Sequence, residues 1–176
     1  MMTAKAKIIT AAEALFDRHG FMATGMDRLT AAAGMSSRTL YKHTGGKAAL
    51  MADVLGERDR RFMRHLDVRS VDALFVALED WVRTEGARGC LFLRARGETG
   101  GDLPEVAQAV AAHKAAFHKR IDEIVTADLG GHGDPALTEQ VLVLVEGATA
   151  ASVYRGPRAV MAARAAAASL IARTRS

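Results

Sequence analysis

Apolar residues recur along this chain at helical spacing. Ile8, Ala12, Leu15 and Phe16 fall at i, i+4, i+7 and i+8, one stripe on a helix over about 4–19. Gly20 follows where a left-handed cap closes a helix. Thr24 suits the N-cap of a second helix, about 25–33, burying Met26, Leu29 and Ala33. Gly34 makes a turn, Ser36 caps a short third helix over about 37–43, and Leu40 is its inward anchor. Gly45 and Gly46 end it. A fourth helix, about 47–66, turns Leu50, Met51, Val54, Leu55, Phe62 and Leu66 inward. Residues 68–70 read as a connector.

Helices over about 71–85 and 90–97 come next, and GETGGD at 97–102 reads as a loop. Pro104 suits the first turn of a long helix to about 128. Asp134 and Pro135 start another to about 153, and a last one spans about 157–173. No segment alternates with period two between turn signals. The pattern predicts an all-α chain of nine helices.

The last two helices stand apart. Leu137 and the run Val141 to Val145 leave little polar face on the first, and the second is mostly alanine. A helix apolar all round must be covered on both sides. Alanine lets helix axes approach closely. A second copy across a two-fold axis satisfies both conditions, with Val141, Leu142, Val145, Thr149, Ala163, Ala167 and Leu170 as the expected interface.

Charge divides the chain. Residues 1–66 carry 11 Lys/Arg against 6 Asp/Glu, and the remainder 13 against 14. A basic head on a near-neutral body suits a polyanion partner for the head alone. With 49% apolar and 25% charged residues the chain can build a core. One cysteine, Cys90, excludes an internal disulfide and any zinc spacing, so no metal and no cofactor is expected. Neither a signal peptide nor an 18-residue apolar run is read, so the expectation is a cytoplasmic chain with no membrane partner.

The densest chemistry lies in TGMDRLTAAAGMSSRTLYKHTGGKAAL, residues 24–50. Two short helices meet at Gly34, where the chain must reverse without a Cβ clash. The second turns Leu40 inward and offers Ser37, Arg38, Thr39, Tyr41, Lys42 and His43 outward, a face fit for the major groove of DNA. Arg38 suits a base edge, because guanidinium pairs bidentately with guanine. Ser37 and His43 suit base or phosphate. Thr39, Tyr41 and Lys42 suit phosphate, as does Lys47 at the start of the fourth helix. Thr24 and Arg28, flanking the start of the second helix, complete the expected DNA-binding set.

Catalysis is not expected. GGK at 45–47 hints at a phosphate loop, but Tyr41 stands where its first glycine belongs and Ala48 where Ser or Thr belongs. His113 and His118 are five apart and share no helix face. The remaining rival to a DNA-binding protein is a helical dimer that binds a ligand or protein and has lost its hold on DNA.

The run AxxLFxxxGFxxT from Ala12, then AAGMSSRTLYKH from Ala32, then GKAAL from Gly46 resembles the N-terminal domain of TetR regulators over about residues 8–54. RGCLFLRARGE at 88–98, AHKAAFHKRI at 112–121 and EQVLVLVEGATAASVYRG at 139–156 resemble a C-terminal domain of the same family. Thr44 stands where the family usually has an aromatic residue, and Thr30 where it usually has alanine. The resemblance implies a homodimer that holds a palindromic operator in double-stranded DNA and is released by a small-molecule effector, with repression as the usual sign. It implies a DNA-binding domain over 1–50, a linking fourth helix over about 47–66, and a ligand-binding and dimerisation domain over 67–176. It also implies a pocket, with Phe75, Trp81, Phe92, Arg94, His113, Phe117 and Tyr154 as candidate lining and Glu98 as a further polar option.

Overall fold

The computed structural model describes residues 3–175. Among them are nine helices and no strand: α1 Ala4–His19, α2 Met26–Ala33, α3 Ser37–Thr44, α4 Lys47–His65, α5 Val71–Glu85, α6 Leu91–Thr99, α7 Pro104–Asp128, α8 Pro135–Arg155 and α9 Pro157–Arg175. The helical periods translate directly into these elements. The local stops are chemical. Ser36 Oγ accepts the Thr39 amide at 3.2 Å to start α3, and Asp134 accepts the Leu137 amide at 3.0 Å to start α8. Ser70 does the same for Ala73 at α5, so the expected connector is itself a cap.

Two local readings are corrected. The N-cap of α2 is Gly25, not Thr24. Thr24 is fully buried, and its hydroxyl donates to the Gly20 carbonyl at 2.7 Å. The expected loop at residue 97 begins later, because α6 continues to Thr99, whose hydroxyl donates to the Ala95 carbonyl at 2.9 Å.

The helices gather into two compact units, and the division runs through α4 and α7. The first holds the chain up to Arg60 together with Leu91–His113. Its core includes Ile8, Phe16, Leu29, Leu40, Leu50 and Leu55, all at most 1% exposed. Here α1, α2 and α3 pack on one another. The second holds Arg61–Cys90 and the chain from Lys114 onward. In it α8, α9 and α5 pack mutually around Leu74, Phe75, Ile121, Val141, Val145, Val160 and Ala167.

α8 is the one helix among the described residues long and apolar enough to cross a membrane by length and composition. Its Leu137, Val141, Val145 and Ala148 lie in the core of the second unit. Of the expected partner surface, Val141, Val145, Ala163 and Ala167 are buried in the core of their own chain and are corrected, while Leu142, Thr149 and Leu170 stay half-buried. A helix apolar on every side carries no periodic signal for which side faces in. The apolar residues left outside are Val143, Val153 and Tyr154 on α8 and Met161 on α9. Between the two helices runs a groove of about 420 Å³ lined by Val143, Leu144, Gly147, Ala151, Ala162 and Ala166, with Arg155 and Arg158 also in its wall.

Candidate nucleic-acid interface

The turn between α2 and α3 is set by Gly34, which sits at φ 64°, ψ 36°, the left-handed region where a side chain would strain the backbone. Its amide donates to Ala31 and the Met35 amide to Thr30, closing α2 before Ser36 opens α3. Leu40 is the fully buried anchor of α3. Thr44, in the position that usually holds an aromatic, is also buried, and its hydroxyl donates to the Leu40 carbonyl at 2.9 Å.

With that side fixed inward, the opposite side of α3 is free. Ser37, Arg38, Tyr41, Lys42 and His43 are exposed, as is Arg28 on α2. Arg28, Arg38 and Lys42 have no carboxylate partner among the described residues. Some other cations are paired, such as Arg58 with Glu13, Arg120 with Asp67 and Arg164 with Asp72, while exposed Lys7, Arg18 and Arg96 have no carboxylate partner among the described residues. Three members of the expected set stand differently. Thr39 shares a 3.0 Å hydrogen bond with Ser36 Oγ. Lys47 donates to the Met22 carbonyl at 3.4 Å and lies 4.4 Å from the Phe21 ring centre. Lost hydration holds the Lys47 ammonium below its usual range, against the opposing pull of Glu98. Thr24 is buried, so its side chain cannot reach a ligand.

Sequence reasoning missed a neighbour of Arg28 on this side. His19, at the end of α1, sits below its usual range because of lost hydration and then the charges of Arg28 and Arg18. It also missed what α6 does in this unit. Arg94, expected in a ligand pocket, instead gives its guanidinium to α1. It bonds the buried Asp17 carboxylate at 3.1 Å and the Asp17 carbonyl at 2.8 Å. Asp17 and Arg94 are 77 positions apart, and no local pattern announces the pairing.

The remaining pocket candidates fall into both units. In the first, Phe92 and His113 stack at 3.6 Å, and His113 Nδ1 is hydrogen-bonded to Asp59 at 2.7 Å. In the second, Phe75 is fully buried core, while Trp81 and Phe117 meet through Phe62, at ring distances of 5.0 and 5.5 Å from it. Tyr154 is 78% exposed and encloses nothing.

A glycine-hinged pair of short helices, its second helix capped, anchored by one leucine and cationic outside, defines a helix-turn-helix protein. Residues 8–54 match the family model described as bacterial regulatory proteins, tetR family. The chain is similar in structure to a TetR-family transcriptional regulator from Streptomyces coelicolor, at 27% identity and TM-score 0.86, covering 97% of this chain and 95% of that one. The fold is shared with a TetR-family regulator from Agrobacterium tumefaciens, at 13% identity and TM-score 0.79, over 97% and 96% of the two chains. In sequence it is 30% identical over 120 residues to an uncharacterised HTH-type transcriptional regulator of Mycobacterium tuberculosis, covering 63% of this chain and 59% of that relative. The match thus spans well under two thirds of the curated relative's length. Residues 8–54 thus match a tetR-family N-terminal domain, and the chain shares the fold of TetR-family regulators over nearly its whole length.

Proposed function

We propose that this protein is a DNA-binding transcriptional regulator that grips a palindromic operator as a homodimer and releases it when a small-molecule effector binds. The observation that carries the reading is the outer side of α3 with Arg28 beside it. Arg28, Arg38 and Lys42 are exposed and unpaired in a unit whose inner face is fully committed to packing. A polyanion is the partner that such a face lacks. Arg38 reads a base edge, Lys42, Lys47, Tyr41 and Arg28 hold phosphates, and Ser37 and His43 complete the contact. The family resemblance supports a repressive sign. A DNA partner places the site of action in the cytoplasm.

The homodimer is formed through the exposed side of α8 and α9. The groove lined by Gly147 and by Ala151, Ala162 and Ala166 receives apolar side chains of a second copy, and Val143, Val153 and Met161 are the chain's own exposed apolar side chains on these helices. The effector favours the form of the dimer that cannot place both α3 helices in grooves one helical turn apart. α4 carries Lys47 in its first turn and Phe62 near its end.

The test is a fluorescence anisotropy titration of the full chain against duplex DNA from its own upstream region, at several salt concentrations. Specific binding is expected to weaken steeply with salt. Arg38→Ala is expected to lower affinity by about 1–3 kcal/mol and to relax one base position. Unchanged sequence preference would remove Arg38 from base reading. Absence of any specific binding by the wild-type chain would favour a ligand- or protein-binding dimer instead.

A further inference from the structure

A carboxylate near a DNA-gripping face repels phosphate, yet Glu98 reaches towards this one, where it also attracts the Lys47 ammonium. Its Oε2 accepts the Met22 amide at 2.8 Å, across 76 positions of sequence. The same turn, between α1 and α2, is shaped to admit it. Gly20 adopts φ +87°, and a Cβ there would stand 3.0 Å from both Glu98 oxygens. Only glycine allows that approach at that backbone angle. The turn then presents the Met22 carbonyl and the Phe21 ring to Lys47, whose ammonium lies against both. Phe21 is held in turn by an edge contact with Phe16 at 5.4 Å. On α6 the preceding turn contributes Arg94, four residues before Glu98, and its grip on Asp17 fixes the end of α1 beside the same turn.

We propose that Glu98 is a positioning residue for DNA binding: by holding the Met22 amide it fixes the α1–α2 turn, and through that turn it aims Lys47. The chain of contacts is short and directional. Glu98 touches the amide of Met22, and Lys47 touches the carbonyl of the same residue. Loss of the first contact frees the peptide that orients the second. The carboxylate's charge is a repulsive element towards phosphate, and the hydrogen bond is its use. A neutral amide of the same shape keeps the bond and removes the repulsion.

This role rests on the DNA-binding reading above, and the experiment separates the two. The full-length chain and its Glu98→Ala, Glu98→Gln, Lys47→Ala and Glu98→Ala/Lys47→Ala variants are titrated against the duplex that the wild-type chain selects. Glu98→Ala is expected to weaken binding about fivefold, the scale of one exposed hydrogen bond. It is also expected to lower the salt slope by about one phosphate contact. Glu98→Gln is expected to bind at least as tightly as the wild type. In the Lys47→Ala background the Glu98→Ala effect is expected to fall below about twofold, because coupled residues are not additive. Amide exchange at Met22 in the free protein is expected to be slow in the wild type and the Gln variant and fast in the Ala variant. Equal effects of Glu98→Ala with and without Lys47 would overturn the proposal, as would a Gln variant as weak as the Ala one or an Ala variant that binds like the wild type. A wild-type chain that prefers no duplex over an unrelated one overturns the DNA-binding reading itself and Glu98's role with it.

Discussion

Leu40→Ala is expected to destabilise the helix-turn-helix unit by about 2–5 kcal/mol and to abolish most DNA binding at growth temperature. Leu40 is fully buried and is the sole buried large apolar side chain on α3 among the described residues. The α3 helix has only eight residues, too short to hold its shape without tertiary packing. Truncation leaves a cavity that α1 and α2 cannot close without moving the turn at Gly34. The backbone carbonyl of Leu40 also accepts the Thr44 hydroxyl, so a shift there is felt at the end of the helix. Amide exchange at Phe16 and Leu29 in the same unit reads the loss without invoking the second unit. A change below about 1 kcal/mol would show that α3 is held by something other than its leucine.

The second large effect is expected at Gly147. A Cβ on this residue meets nothing within 4 Å in its own chain, so the single chain accommodates a side chain there. Glycine inside α8 is also the weaker helix former, by about 1 kcal/mol relative to alanine. Gly147→Arg is therefore expected to leave the isolated chain at least as stable. Yet Gly147 lines the α8–α9 groove, and an arginine there fills the space proposed for the second copy. Sedimentation is expected to show a monomer. Specific DNA affinity is expected to fall about hundredfold or more, since one half-site cannot replace two. A variant that remains dimeric would move the interface away from this groove.

How much of this was legible in the sequence differs by the kind of signal. The helices were, because apolar spacing repeats every turn and Ser36, Asp134 and Gly34 act on neighbours within four residues. The outward face of α3 followed from one inward leucine. The outward side of α8 was not legible: α8 is apolar all round, so Val141 and Val143 looked alike, although one is core and the other 66% exposed. Nor was the part played by α6. Arg94 and Glu98 recognise backbone groups of α1 and its turn, more than 70 positions away, and backbone groups leave no trace in the residue pattern. Thr24 misled for a related reason. Its hydroxyl suits an N-cap, but Gly25 takes that place and the hydroxyl turns back to the Gly20 carbonyl.

The most direct test of the central claim is selection of bound duplexes from a random pool by the full-length chain. Two recognition faces carried by a paired body predict a recovered site with two-fold symmetry and half-site centres about 34–36 Å apart along the duplex. Recovery of a single unrepeated half-site, or of no enriched sequence at all, would contradict it.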